Sequence, residues 1–293
     1  MAQKINPARR LFIIINTIVL SFAAIVAIIP VIHVIMASFM HPVTLSQTYG
    51  LILWPKDFSL EGYAAVFKTT QIWTGYLNSI FYVSCAVILG TFLTILGAYV
   101  TSRRGLFWNR YIMLFISFTM IFNGGMIPTY LLVSKLGWID SPLAVIVPLC
   151  MNAFNLIIMR TFFQGIPESL EESANLDGAG RLRILFTIMI PLAKASIAVI
   201  ALFYMVFQWN SFFQAMIYLQ SQEKFPLQLV LRMILIQNQA TAASQGSSGG
   251  YNRLLAESVK YGTIMVSIIP MLAAYPFIQK YFVGGVMVGA IKG

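Results

Sequence analysis

Six predominantly apolar stretches of this chain run for 18 residues or more without an Asp, Glu, Lys or Arg. They cover about residues 11–39, 76–101, 111–133, 142–159, 195–219 and 261–278. A helix that crosses a bilayer needs about 20 predominantly apolar residues. Lipid offers the backbone no hydrogen-bond partner, so a spanning segment satisfies its own polar groups as a helix. The expectation is an all-α polytopic membrane protein with six transmembrane helices, residues 1–293 forming a single transmembrane domain. Charged residues make up only 10% of the chain, against about 25% in an average soluble domain. The first stretch exceeds the ~7–15 residues of a secretory signal core, so it reads as a retained first span.

The formal net charge is +10. No basic run with interleaved aromatics accompanies it, so nucleic acid is not an expected partner. Lys and Arg flanking spans on the cytoplasmic side produce the same excess. The short connections decide the orientation. "TSRRGLFWNR" carries Arg103, Arg104 and Arg110, and the connection between the fourth and fifth stretches carries Arg181, Arg183 and Lys194. Both termini are therefore expected in the cytoplasm, with membrane lipid as a partner. Residues 40–75 and 220–260 become extracytoplasmic loops, and residues 163–193 a cytoplasmic loop. In the second outer loop, "LVLRMILIQ" would suit a short helix. "TAASQGSSGG" at 241–250 reads as a flexible arm that meets an outside partner, or as slack.

Absences narrow the chemistry. No GxxxxGK[ST] loop, HExxH or GxSxG occurs, so no catalytic residue is expected and ATP has no site on this chain. Cys85 and Cys150 lie in apolar stretches without ligand-like neighbours, and no metal site is expected. His33 is either functional or hydrogen-bonded to a neighbouring helix. Asp and Glu relays of the kind proton-driven carriers use are missing from the spans.

The spans do carry amides. Asn123, Asn152, Asn155, Gln208, Asn210 and Gln214, together with Trp209, are candidates to line a hydrated passage. Amides and aromatic faces suit sugars, which present hydroxyls at the edge and C–H groups on the face. The alternative is plain hydrogen bonding between helices.

Charge gathers in "GIPESLEESANLDGAGRLRILFTIMIP". A short helix over 167–176 is expected, with Pro167 at its start, Glu168, Glu171 and Glu172 where the helix dipole favours acids, and Gly178 at its stop. Leu170 and Ala174 would share a face. Arg181 and Arg183 open a second helix at the end that disfavours cations. Its apolar stripe would be Leu182, Leu185, Phe186 and Met189.

This loop resembles the EAA motif of permease subunits of ATP-binding-cassette importers: E-A-A, three residues, G, nine residues, I-x-L-P. Here stand Glu172, Ser173, Ala174, then Gly178, then Ile188, Met189, Ile190 and Pro191. The spacing matches throughout, with Ser173 for Ala and Ile190 for Leu. "QKYFVGGVMVGAIKG" and "NGGMIPTYLLVSKLGWIDSPLAVIVP" resemble the carbohydrate branch of that family, related to maltose permeases and to oligosaccharide or polysaccharide-fragment importers.

The resemblance implies a type I importer permease in the bacterial cytoplasmic (inner) membrane. It implies a second, different permease chain, a separate cytosolic ATPase dimer that binds ATP and Mg, and an extracytoplasmic solute-binding protein. Glu171, Glu172, Ser173, Ala174, Asp177, Gly178, Ile188 and Pro191 would couple to the ATPase, with Glu172 meeting a basic residue there. The tail at 289–293 would also reach the ATPase. Arg232 and Arg253 in the second outer loop would suit an acidic sugar. The competing reading is a self-sufficient carrier or channel for a small polar solute, which has no need of a docking loop.

Overall fold

The computed structural model describes residues 7–103, 105–244 and 250–290, with side chains except at 237–253, 274, 275 and 277–290. Lys4, Arg104 and Lys292, the 245–249 part of the expected flexible arm, and the end of the tail lie outside the described residues. The helices are α1 (Pro7–Ser38), α2 (Pro42–Gln47), α3 (Glu61–Lys68), α4 (Thr70–Ser102), α5 (Asn109–Ile121), α6 (Met126–Lys135) and α7 (Pro142–Leu149). They continue with α8 (Ala153–Gln164), α9 (Glu168–Leu176), α10 (Arg181–Leu192), α11 (Lys194–Asn210), α12 (Phe213–Tyr218), α13 (Leu227–Ser244) and α14 (Gly250–Ala290). Among the described residues the sole β contact is an isolated bridge between Met40 and Phe58. The chain divides into two compact units, residues 1–70 with 231–268 and residues 71–230 with 269–293.

In the first unit, α1 is apolar on every side, and none of its most apolar window is buried by protein. A helix of that kind belongs in lipid. At its end Ala37, Met40, Leu45 and Ile52 form a small core with Met36 and Tyr261. His33 organises it. Its Nδ1 accepts the Ile52 N–H at 3.0 Å, and its Nε2 lies 3.5 Å from the Tyr261 hydroxyl. Of the two readings of His33, the hydrogen-bonded one matches this geometry.

The second unit is built on α4. Ser79, Val83, Ala86, Gly90, Thr94 and Ala98 are buried and stand three or four residues apart, so they share one face. These small residues let neighbouring backbones approach closely. A Cβ on Gly90 would sit 2.6 Å from the Cys150 carbonyl oxygen and 3.0 Å from the Tyr204 ring. The C-terminal carbonyls of α4 are also answered. Thr101 O accepts from Arg160 Nε and from Asn109 Nδ2, each at 2.9 Å.

Three of the six expected spans are single helices, in α1, α4 and residues 254–273 of α14; the others are pairs of helices that meet at a bend. The stretch 111–133 is two helices, α5 and α6, meeting at 110°. The Asn123–Gly124–Gly125 run causes this. Asn123 Oδ1 takes the Gly125 N–H at 2.9 Å, and Gly125 sits at φ 90°, where only glycine is unstrained. The stretch 142–159 bends by 47° between α7 and α8. The stretch 195–219 ends as a helix at Asn210 and resumes as α12, and α11 itself meets α10 at 85° through Ala193.

At one end of α4 the segment 219–227 is tied down. Asn78 Nδ2 donates to the Glu223 and Phe225 carbonyls, Tyr82 Oη to the Lys224 carbonyl, and the Leu227 N–H to Ser79 Oγ. Asp140, at φ 58°, completes the tie. It accepts from Lys224 Nζ at 2.7 Å, from Ser221 Oγ at 2.6 Å, and from the Gln220 and Ser221 N–H groups at 2.9 Å. The Lys224 ammonium, then the Ser221 and Gln220 donors, hold its carboxyl well below the usual carboxylate range.

The close approach at Gly90 is testable. Gly90→Ala forces a shift against backbone and should cost about 1–3 kcal/mol, read as a lower melting temperature of the purified protein. Gly124→Ala, with open space around its Cβ position, should change stability by less than about 0.5 kcal/mol.

Candidate functional site

The charged loop folds as a helix with a defined start and stop. Pro167, expected as the first residue of a 167–176 helix, stands just before α9 with ψ 130°, one residue outside the helix. Proline lacks the N–H that this position would leave unsatisfied. Glu168 and Glu171 occupy the first turn, against the positive end of the dipole. At the other end the Ala179 N–H reaches the Ala174 carbonyl at 2.9 Å, and the Gly178 N–H the Asn175 carbonyl at 3.0 Å. Gly178 has φ 76°. This is a Schellman closure, with a glycine at the one left-handed position. Ala179 packs back on the cluster that contains Ala174, which supplies the apolar contact the motif favours.

The inner face of α9 is not the expected pair of Leu170 and Ala174. Ala174 is buried, but Leu170 is exposed. Glu171 turns inward beside Ala174 instead. It forms an ion pair with Arg103, just past the end of α4, and the two side chains are only 16% and 13% exposed. Removing one partner of a pair this sealed costs roughly 3–5 kcal/mol, because the other charge is left unpaired. Arg103 also lies 5.0 Å over the Tyr99 ring and donates to the Phe163 carbonyl. The Tyr99 hydroxyl is 3.3 Å from Glu171 Oε1 and 3.3 Å from the Arg181 carbonyl. Sequence reasoning did not pick out Arg103 or Tyr99 for this site. The chain signal was faint: a tyrosine and an arginine four apart where α4 leaves its apolar run.

The outer face of α9 carries Glu172, Ser173 and Leu176, all exposed; Leu176 is 90% exposed. Asp177 and Gly178 are exposed at the turn. The stripe expected on α10 is split. Ile184, Leu185 and Met189 are buried, whereas Leu182 and Phe186 face out. Leu185–Met189 forms a π-turn, in which the Ile190 N–H bonds to the Leu185 carbonyl. Proline in a helix clashes with the carbonyl four residues back. For Pro191 that carbonyl is Thr187's, and the wider turn makes room for the ring. Ile188 packs on the central cluster. Arg181 and Arg183 have exposed side chains, and nothing in the structure explains the two charges.

The candidate passage residues separate into two groups. A cavity of about 260 Å³ is lined by Asn152 and Asn155 with Phe154, Phe203, Tyr204 and Phe207, among others. That lies just below the ~300–1,000 Å³ of small-molecule sites. Tyr204 Oη accepts the Asn152 N–H at 3.0 Å and pairs with Thr94 Oγ1 at 2.7 Å. Asn152 Oδ1 is already used, capping α8 through the Phe154 and Asn155 N–H groups. Asn123, Gln208, Trp209, Asn210 and Gln214 do not line this cavity. Asn123 holds the α5–α6 break. Asn210 donates to the Val206 carbonyl, and Gln214 accepts from Ser211 Oγ. Gln208 is buried, with its Oε1 lacking a hydrogen-bond partner. Trp209 is buried against Tyr76. Among the described residues no group of three His, Cys, Asp or Glu is placed to hold a metal.

Residues 86–288, which include the α9–α10 loop and the cavity, match the family model described as "Binding-protein-dependent transport system inner membrane component". The chain belongs to that family. It is a membrane permease subunit of an importer of the ATP-binding-cassette class, in which the ATPase is a separate subunit. The permease is 42% identical over 272 residues to the "Polygalacturonan/rhamnogalacturonan transport system permease protein YtcP" of Bacillus subtilis, covering 92% of this chain and 94% of the relative. It is 37% identical over 289 residues to "Protein LplC" of the same organism, covering 98% and 97%. Among solved structures it is similar to a chain of a bacterial ABC transporter involved in the import of the acidic polysaccharide alginate. That match has a TM-score of 0.84 and 33% identity, over 96% of the permease and 100% of the other chain. The membrane-permease fold expected from the apolar stretches and the EAA spacing is thus the fold observed.

Space around Gly178 is open, so a substitution there strains only the backbone. Gly178→Ala should cost about 1–2 kcal/mol of local stability, the penalty for a left-handed non-glycine residue. Gly178→Asn should cost less than half of that. Amide hydrogen exchange across α9 reads both; equal acceleration in the two variants would contradict the Schellman assignment.

Proposed function

We propose that this permease forms half of the translocation pathway for a sugar or oligosaccharide and couples it to a cytosolic ATPase through α9. The observation that carries the reading is the two-faced character of α9. Glu171 and Ala174 anchor it to its own chain, while Glu172, Ser173 and Leu176 stand exposed on a helix stopped by Gly178. A nine-residue helix with an acidic start and an apolar tip is built to be covered by another protein. An isolated helix of that length is marginal in water.

The partners on this reading are a second, different permease chain, an ATPase dimer holding ATP and Mg, and an extracytoplasmic solute-binding protein. The membrane is the bacterial inner membrane. The basic connections support a topology with both termini and the loop 163–193 in the cytoplasm, and the residues around 40–75 and 220–260 outside. Glu172 would meet a cation on the ATPase. Asp177, Gly178, Ile188 and Pro191 would hold the shape of the docking surface. This chain would carry no catalytic residue.

Support for a carbohydrate comes from the relatives' names and from the cavity. Phe203, Tyr204 and Phe207 offer ring faces, and Asn155 an amide. This is the combination that binds a pyranose by its C–H face and hydroxyl edge. An acidic sugar fits the alginate importer's description and the net charge of +10.

Glu172→Lys and Gly178→Asp should release the ATPase on co-purification and lower uptake at least tenfold in cells, while the variants still insert in the membrane. Normal uptake by Gly178→Asp would remove the docking reading. ATP-independent uptake by vesicles holding this chain alone would favour the self-sufficient carrier instead.

A further inference from the structure

Arg103 and Tyr99 stand outside the EAA spacing and outside the amide pattern, yet they join the two halves of the site. Helix α4 runs without proline from Thr70 to Ser102 and is anchored at two levels. At its C-terminal end, Arg103 pairs with Glu171 of α9, and Tyr99 reaches both Glu171 and the Arg181 carbonyl that opens α10. Nine residues earlier, about 14 Å along the axis at 1.5 Å per residue, Thr94 Oγ1 meets Tyr204 Oη at 2.7 Å. Tyr204 in turn holds the Asn152 N–H, and both residues line the cavity. At Gly90, about one turn further along, an added Cβ would run into the Cys150 carbonyl and the same Tyr204 ring.

An unbroken helix moves as one body. The contacts that tie α9 to it differ in kind. Apolar contacts such as Ala174 on its cluster can slide, because dispersion and burial have no direction. A mostly buried ion pair with a ring stacked on the guanidinium is directional and has no solvent to replace it. With the pair broken, α9 would still be held by Ala174 and Ala179 on their buried cluster, between the stops at Pro167 and Gly178, and Glu172, Ser173 and Leu176 would stay exposed.

We propose that Arg103 and Tyr99 are positioning residues: their clasp on Glu171 carries displacement of α9 into α4 and so to the wall of the Asn152–Tyr204 cavity. This rests on the reading of α9 as the ATPase-docking helix. Without the clasp the ATPase still docks and hydrolyses ATP, but the cavity no longer follows.

The test uses the complete importer in proteoliposomes, with its ATPase and second permease. The permease carries Cys85→Ala, Cys150→Ala and a reporter, Phe207→Cys. A maleimide reagent measures access to the cavity with and without MgATP and vanadate, beside ATPase rate and co-purification. The proposal expects the ATP-dependent change in labelling to fall from fivefold or more to under twofold in Arg103→Met and in Glu171→Gln. The ATPase should stay at full stoichiometry and keep hydrolysing. The exchange Arg103→Glu with Glu171→Arg should restore more than half of the change. A full labelling change in Arg103→Met overturns the proposal. So does loss of the ATPase from Arg103→Met without rescue by the exchange, which would make the pair merely structural. Failure of the docking reading shows separately, as Glu172→Lys still holding the ATPase.

Discussion

Lipid supplies neither counter-charge nor hydrogen-bond partner, and that constraint sorts every polar group in this chain. Charge is pushed into the connections, where it can be paired or wetted. The two best-defined polar constellations of the 71–230 unit sit at the two ends of α4. At one end Asp140 collects Lys224, Ser221 and Gln220 around a left-handed backbone. At the other, Arg103 collects Glu171, Tyr99 and the Phe163 carbonyl. Between them α4 presents small residues, so that neighbours settle against its backbone and not against long side chains.

This arrangement gives the α9–α10 loop a divided character. Its inner face is bound by a charge pair and a buried apolar cluster; its outer face is left free. The division suits a helix that is held by its own chain and covered by another. It also explains why the loop spends two prolines, a Schellman glycine and a π-turn within 25 residues. Each device fixes shape locally, so the surface persists whether or not the partner is present.

Much of this was legible in the sequence. The absence of charge from six stretches marked the spans, and Pro167, Gly178 and the EAA spacing marked the loop. What the sequence did not reveal was direction. Leu170 and Ala174 share a face by periodicity, but a nine-residue helix can turn either side inward. The choice here is made by Arg103 and Tyr99, about 70 residues away in the chain. The amides divide for a related reason. Asn123 and Asn152 sit at breaks, where an amide is consumed by local N–H groups, and only Asn152 also faces the cavity. The bends themselves had a signal in Asn123–Gly124–Gly125, outweighed by the apolar residues around it.

The central claim is that α9 shows one face to its own chain and the other to an ATPase. A photo-crosslinking amino acid placed in turn at Leu176 and at Glu171, in membranes holding the whole importer, tests it directly. The account predicts that Leu176 crosslinks to the ATPase, while Glu171 crosslinks only within the permease. Equal crosslinking to the ATPase from both positions, or none from Leu176, would contradict it.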